Sequence, residues 1–211
     1  MTSVHTAPES VEGQHPTARL LIVGPQGSGK GTQGVRIAEA LGIPVVSTGD
    51  IFRANIKEGT ELGQKVTAIL DAGDLVPDEL TSEIVRDRLS QEDAAAGFLL
   101  DGYPRNTAQV AHLDAFLAES GAALDAVILL DVPRAESMAR LSLRAVEQGR
   151  SDDNEAAIAH RLDIYENETA PIISVYEPRG IVDRIDGVGS LDDITARISS
   201  ALGARGIGQL V

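Results

Sequence analysis

The 211-residue sequence predicts an α/β protein with three layers, in which helices cover both faces of a five-stranded parallel sheet. Short apolar runs alternate with longer segments of helical periodicity, and a glycine-rich turn follows the first of these runs directly. No internal repeat interrupts this alternation. The apolar runs predict strands at 19–23, 44–47, 97–100, 126–131 and 181–185.

The segments between these runs predict helices, and local residues mark where several of them begin. Pro133 suits a first helical position, and Ser190 and Asp193 have the spacing of a capping box. The stretch 49–80 is too long for a simple crossover, so we expect a small helical region inserted between the second and third strands. Helices are predicted at 31–41, 50–57, 62–72, 77–90, 107–120, 133–147, 154–178 and 191–202.

The ends and the composition of the chain limit its organisation and its partners. Residues 1–17 are polar and contain proline, which predicts a flexible extension before a single domain at 18–211. A net charge of -14 argues against binding to nucleic acid or to an anionic membrane, because such surfaces need clustered lysine and arginine. There is no cysteine, signal peptide or apolar run of membrane-spanning length, so we expect a cytoplasmic protein without a thiolate zinc site.

The residues after the first predicted strand have the composition of a phosphate-binding loop. Between Gly24 and Thr32 a glycine-rich turn leads into a helix, which aims several backbone N–H groups at one point, and Lys30 adds a charge that reaches outer phosphates. The strict pattern G-x-x-x-x-G-K-[ST] fails by one residue, because Gly31 follows the lysine. An ordinary glycine-rich turn with a surface lysine is the alternative. The loop predicts a P-loop NTPase-type fold.

Three separate motifs occur in one order along the chain: Gly29-Lys30-Gly31-Thr32-Gln33, Ser47-Thr48-Gly49-Asp50 and Asp101-Gly102-Tyr103-Pro104-Arg105. In this order, from about residue 18 to 202, the sequence resembles the adenylate kinases of the nucleoside monophosphate kinase family. The resemblance implies direct transfer of the γ-phosphoryl group of ATP to AMP, giving two ADP, by a monomer that takes up Mg²⁺ with its nucleotide. It also implies a monophosphate-binding region at 47–76 and a short lid at 143–153, without a zinc-bearing hairpin.

The same resemblance implies the residues that hold the donor nucleotide. They are Gly27, Ser28, Gly29, Lys30, Gly31 and Thr32 of the loop, with Arg140, Arg144 and Gly189. Arg140 and Arg144 are four residues apart on a predicted helix and so share a face, although a solvated face would have the same spacing. Asp101 ends a buried strand and is expected to orient water on Mg²⁺, with a simple turn as the alternative. Gln26 stands where the family usually has proline, for which we expect a local conformational effect.

The acceptor residues are implied in the same way. They are Thr48, Arg53, Asp74, Leu75, Val76, Gly102, Tyr103, Pro104, Arg105, Gln109, Arg150 and Arg161. Thr48 favours AMP, because the related uridylate/cytidylate kinases tend to have a small apolar residue there. Gln109 is expected at the adenine edge, but with Asn106 it also has the spacing of a capping box. Surface ion pairs are the alternative for Arg150 and Arg161.

Together these assignments predict one catalytic set of cations around the transferred phosphoryl group: Lys30, Arg105, Arg140, Arg144, Arg150 and Arg161. Two alternatives remain open from the residues. One is a kinase for another nucleoside monophosphate or a small metabolite, and the other is a non-catalytic P-loop module that only binds nucleotide. A GTPase switch would carry an Asn-Lys-x-Asp motif, and no Asn-Lys pair occurs in this sequence.

Overall fold

A computed structural model describes residues 18–148 and 155–208 of the protein. The strands are β1 (Ala18–Val23), β2 (Val45–Ser47), β3 (Gly97–Asp101), β4 (Ala126–Asp131) and β5 (Val182–Asp186). The helices are α1 (Lys30–Leu41), α2 (Thr48–Glu58), α3 (Glu61–Ala72), α4 (Asp78–Leu89), α5 (Thr107–Glu119), α6 (Arg134–Gln148), α7 (Glu155–Ile164), α8 (Ile173–Tyr176) and α9 (Leu191–Ala204). Within these described ranges, no helix has the length and apolar content needed to cross a membrane.

The five strands form one parallel sheet in the order β2-β3-β1-β4-β5. The strand order reverses beside β1, whose neighbours are β3 and β4, and ligands of open α/β sheets bind at such a point. Asp101 at the end of β3 is level with Ile22 on one side and with Ser47 on the other. The predicted fold class is therefore confirmed, and the strand limits differ from the prediction by one residue at most.

Successive strand residues face opposite sides of the sheet and enter two separate cores. Leu21 and Leu100 pack against helices α4, α5 and α8, whereas Leu20 and Leu99 pack against α1 and α9. Both faces of the sheet are thus covered, which explains why the strands are continuous apolar runs and not alternating ones.

Helices α2 and α3 follow β2 and precede β3 in the chain, where the inserted region was predicted. They pack together around a smaller apolar cluster. Phe52, Val66 and Val76 form the centre of this cluster. The two helices approach closely at Gly63, where a Cβ atom would lie 2.2 Å from the carbonyl oxygen of Asn55. Glycine is required here because no side chain fits between the two backbones.

Most predicted helices are present with limits that differ by two residues at most, and one predicted helix is broken into several elements. The helix predicted at 154–178 is wrong as one element, since α7 ends at Ile164 and a π-turn and a 3₁₀ turn precede α8. Pro171 lies in that 3₁₀ turn, where it lacks the N–H that a continuing α-helix needs. Helix α6 begins after Pro133, whose carbonyl accepts a hydrogen bond from the Ser137 N–H. The predicted extension at 1–17 and residues 149–153 of the predicted lid lie outside the described residues.

Candidate active site

A cleft of about 670 Å³ opens at the carboxyl ends of β1 and β3, a size that suits a small-molecule ligand. Cationic side chains outnumber carboxylates in its wall. The cations are Lys30, Arg36, Arg53, Arg105, Arg140, Arg144 and Arg161, and the carboxylates are Asp50, Asp74 and Asp101. An acidic protein therefore carries a local excess of positive charge, as a polyphosphate ligand requires.

The loop between β1 and α1 presents its backbone to the cleft. Gly27 and Gly29 have φ angles of 80° and 92°. Gly29 is the N-cap residue of α1, and it has no side chain that could cover the first backbone amides of the helix. A Cβ atom on Gly27 would lie 2.6 Å from the Ser137 carbonyl oxygen on α6. The glycines thus permit both the turn and the close packing that aims the start of α1 at the cleft.

The ammonium group of Lys30 is held inside the loop. Its Nζ donates hydrogen bonds to the carbonyl oxygens of Gly24 at 2.7 Å and Pro25 at 2.8 Å. Burial lowers the pKa of Lys30 to about 8, Asp101 opposes this effect, and Arg105 and Arg144 reinforce it. A buried ammonium with a lowered pKa gains stability when an anion binds beside it, so the site favours phosphate.

Asp101 and Arg105 meet at the end of β3. A Cβ atom on Gly31 would lie 3.9 Å from Oδ2 of Asp101, which places this carboxylate opposite the first turn of α1. Burial raises the pKa of Asp101, and the charges of Lys30 and Arg105 partly offset that rise. Burial likewise lowers the pKa of Arg105. The carboxylate and two cations are close enough for each to act on the charge of the others.

The carbonyl oxygen of Gly102 joins two residues that were predicted for the acceptor. It accepts a hydrogen bond from Thr48 Oγ1 at 2.9 Å and another from Arg105 Nε at 2.7 Å. Thr48 is buried, and its hydroxyl is directed at the backbone of the neighbouring strand end. The contact thus links the start of α2 to the Arg105 guanidinium.

The arginines of α6 and α7 reach the cleft from the opposite side. Arg140 donates from Nε to Glu136 at 2.7 Å and from Nη2 to the Gly187 carbonyl oxygen at 3.2 Å. Arg161 donates from Nη2 to the Leu70 carbonyl oxygen at 3.1 Å. Arg144 also lines the cleft, while Arg150 lies outside the described residues. Side chains from distant parts of the sequence therefore meet at one cavity.

Most of the predicted site residues that the structure describes line the cleft, and the others do not. Those in the wall are Gly27, Gly29, Lys30, Gly31, Thr32, Arg53, Asp74, Asp101, Gly102, Pro104, Arg105, Arg140, Arg144 and Arg161. Those that do not line it are Ser28, Thr48, Leu75, Val76, Tyr103, Gln109 and Gly189.

Gln109 has hydrogen bonds at both ends of its buried carboxamide. Its Nε2 donates to Asp78 Oδ1 at 2.6 Å, and its Oε1 accepts from the Arg105 N–H at 2.8 Å. Its backbone N–H also donates to Asn106 Oδ1, which is one of the two bonds of the capping box noted in the sequence, while its side chain accepts from Arg105. A contact between Gln109 and a base would require one of the side-chain bonds to be exchanged, and that contact stays a prediction.

The cleft wall also contains residues that the sequence analysis did not assign to the site, among them Val35, Arg36, Tyr165 and Thr169. Arg36 had a usable signal, because it lies one helical turn after Thr32 on α1. Tyr165 and Thr169 had none, since both lie in the π-turn where the sequence predicted a regular helix. The 2.6 Å contact between His160 Nε2 and Asp74 Oδ1 was also missed.

A phosphate loop with its lysine, a strand-end carboxylate and several converging arginines define this protein as a P-loop phosphotransferase. The family model described as "Adenylate kinase" matches residues 22–181. The chain belongs to the adenylate kinase family.

Curated relatives named adenylate kinase are similar to almost the whole described chain. A Kocuria rhizophila protein is 59% identical, covering 87% of this chain and 98% of its own length. The Clavibacter michiganensis relative is 58% identical over 90% of this chain and 94% of its own. The Thermobifida fusca relative is 54% identical over 89% of this chain and 99% of its own.

Proposed function

We propose that this protein catalyses the reversible, Mg²⁺-dependent transfer of the γ-phosphoryl group of ATP to AMP, giving two ADP. The convergence of Lys30, Arg105, Arg140, Arg144 and Arg161 on one cleft is the observation that carries the proposal. Transfer between two nucleotides places the negative charge of both phosphate chains at one point. Cations fixed around that point stabilise the charge that spreads over the transferred group.

In the proposed reaction, the loop amides and Lys30 hold the β- and γ-phosphates of the donor, with Arg140 and Arg144 on their far side. Arg105, Arg53 and Arg161 hold the phosphate of AMP. A phosphate oxygen of AMP attacks the γ-phosphorus in line, and the bond from that phosphorus to the bridging oxygen of ADP breaks. The electron pair of this bond leaves with ADP, so the enzyme needs neither a nucleophile of its own nor a covalent intermediate.

Asp101 suits the role proposed for it toward the metal. Mg²⁺ in phosphate sites is held by one or two carboxylates together with phosphate oxygens and water. Asp101 supplies such a carboxylate opposite the start of α1, and a nearby cation would favour its charged form against the raised pKa. Bound Mg²⁺ would neutralise charge on the donor phosphates, and Asp101 would orient the metal's water ligands.

All of these groups come from one chain, so we propose that a monomer is active. The lack of cysteine suits the reducing cytoplasm, which is the proposed location. The short segment 143–153 is proposed as the lid and 47–76 as the acceptor region, because each flanks arginines of the cleft.

A coupled assay of ADP formation tests the proposal with Mg·ATP and, in parallel, AMP, UMP, CMP and GMP. We expect turnover with AMP, and a fall of about 10²–10³-fold in kcat for Lys30→Ala. Lys65→Ala is the matched control, since that lysine is exposed and pairs with Glu61 on α3. Binding of ATP without phosphorylation of any monophosphate would refute the transfer and leave the non-catalytic alternative. Equal turnover with UMP or CMP would refute the preference for AMP.

A further inference from the structure

The segment 187–190, called here the base loop, is held by hydrogen bonds from several elements. Arg197 Nη1 donates to the carbonyl oxygens of Asp186 and Val188, each at 2.7 Å. The Gly187 N–H donates to the Asp131 carbonyl oxygen at 2.8 Å. The resemblance to adenylate kinases implies that Gly189 holds the donor nucleotide, so we take the donor base to lie beside this loop. The position of the loop relative to the phosphate loop therefore decides whether one ATP reaches both.

Gln33 connects the phosphate-binding end of α1 to the residue that follows the base loop. Its side chain is fully buried, three residues after Lys30. Nε2 donates to the Leu191 carbonyl oxygen at 2.9 Å, and Oε1 accepts from Thr195 Oγ1 at 2.8 Å. A backbone carbonyl only accepts hydrogen bonds, so the contact with Leu191 fixes the orientation of the carboxamide, with Nε2 on Leu191 and Oε1 on Thr195.

We propose that Gln33 is a positioning residue for the donor base: it sets the distance between the phosphate loop and the base loop. This inference rests on the proposed function, because it needs the donor to bind at both loops. The first turn of α1 holds the phosphates, and the same turn holds the start of α9 through Gln33. A rigid connection lowers the entropic cost of holding both ends of the nucleotide at once.

The neighbouring contacts indicate that Gln33 has no close substitute at this junction. Arg36 also reaches α9, but it bonds to the exposed Asp192 at 2.6 Å and to the hydroxyl of Thr195 at 3.1 Å. Exposed ion pairs contribute little to holding two elements in register. The buried carboxamide instead bonds directly to the Leu191 carbonyl oxygen. The hydroxyl of Thr195 also bonds to that oxygen at 2.8 Å, but this bond lies within α9 and does not reach α1.

Gln33→Met tests the proposal, because methionine keeps the length and unbranched shape of the side chain but lacks its hydrogen bonds. We expect the KM for ATP to rise about tenfold, equivalent to about 1.4 kcal/mol. The KM for AMP and the Kd for tripolyphosphate, which has no base, are expected to stay within about twofold. Thr195→Val keeps the bond from Gln33 to Leu191 but removes the hydroxyl that bonds to Gln33, Arg36 and the Leu191 carbonyl oxygen, and it is expected to raise the KM for ATP about threefold. Ser199→Ala is the control, since that hydroxyl bonds within α9 to the Thr195 carbonyl oxygen.

An unchanged KM for ATP in Gln33→Met would overturn the proposal. An equal loss of affinity for ATP and tripolyphosphate would also overturn it, because the residue would then support α1 as a whole. If Gln33→Met does not fold, the KM for ATP and the Kd for tripolyphosphate are measured for Thr195→Val, and the same two results would overturn the proposal. Failure of the proposed function is a different result: the unaltered protein would not transfer phosphate to AMP, while the two binding measurements would still test Gln33.

Discussion

Binding of ATP by this protein is expected to weaken above pH 8, because Lys30 must be protonated to hold phosphate. Burial lowers its pKa to about 8 in the free protein. About nine tenths of Lys30 is then protonated at pH 7 and about one tenth at pH 9, which predicts a roughly tenfold rise in the Kd for ATP across this range. The phosphates themselves lose their last proton near pH 6 and stay ionised throughout.

Isothermal titration calorimetry measures this effect in two ways. The Kd is determined at pH 7, 8 and 9, and the binding enthalpy at pH 8.5 is compared in buffers of different ionisation enthalpy. Since bound phosphate restores the charge of Lys30, about three quarters of a proton should be taken up on binding at pH 8.5. Lys30→Arg keeps its charge over the whole range and should bind with a flat pH profile. A constant Kd for the unaltered protein, together with no proton uptake, would refute this reasoning.

Three other substitutions have expected outcomes. Lys30→Met should raise the free energy of unfolding at pH 7 by about 2–3 kcal/mol, because it removes a charge that is costly to bury. This gain in stability should disappear between about pH 8 and 10.5, where the lysine of the unfolded chain also loses its charge. Thr48→Val removes the hydrogen bond to the Gly102 carbonyl oxygen, so steady-state kinetics should show the KM for AMP raised about fivefold and that for ATP unchanged. Gly63→Ala should lower the free energy of unfolding by about 2–4 kcal/mol in urea titrations, because its Cβ atom would meet the backbone of Asn55.

Matched variants separate these effects from general damage. Lys65→Met removes an exposed lysine and should leave the stability at pH 7 within about 0.5 kcal/mol. Thr67→Val removes a hydroxyl that bonds within α3, and it should not change the KM for AMP. Gly203 lies on α9, where a Cβ atom would be 4.0 Å from the Gly208 carbonyl oxygen, an ordinary contact distance, so Gly203→Ala should not destabilise the protein. A stable Gly63→Ala protein would contradict the close packing of α2 on α3, and lower stability of Lys30→Met at pH 7 would contradict the cost of burying the ammonium.

Much of the candidate site was predictable because its signals are local. The glycines and Lys30 of the phosphate loop directly follow a buried strand, and Asp101 ends another one. The carboxyl ends of neighbouring parallel strands necessarily meet at one edge of the sheet, so such residues come together once the strand order is known. Tyr165 and Thr169 followed no such rule, because their place in the cleft depends on where α7 stops.

The roles of individual polar side chains were harder to predict, because some of their hydrogen-bond partners lie in distant parts of the chain. Gln109 had two readings in the sequence, and the structure has its capping interaction together with bonds to Asp78 and to the Arg105 backbone. Gln33 belonged to a quoted motif, yet nothing local pointed to its partners on α9, which are more than 150 residues away. Hydrogen bonds between distant segments depend on the packed positions of both, which periodicity and spacing do not describe.

By itself, the sequence determined the strands, the phosphate loop, the order of the motifs and the family to which they belong. These features depend on side-chain periodicity, on glycine conformations and on residue types at short spacing, all of which act within one segment. Only the tertiary structure decided that Arg36 and Tyr165 share a cleft with Lys30, and that Lys30 has a lowered pKa. Burial and the Coulomb interaction depend on distances in space, and the folded sheet sets those distances for residues that are far apart in the chain.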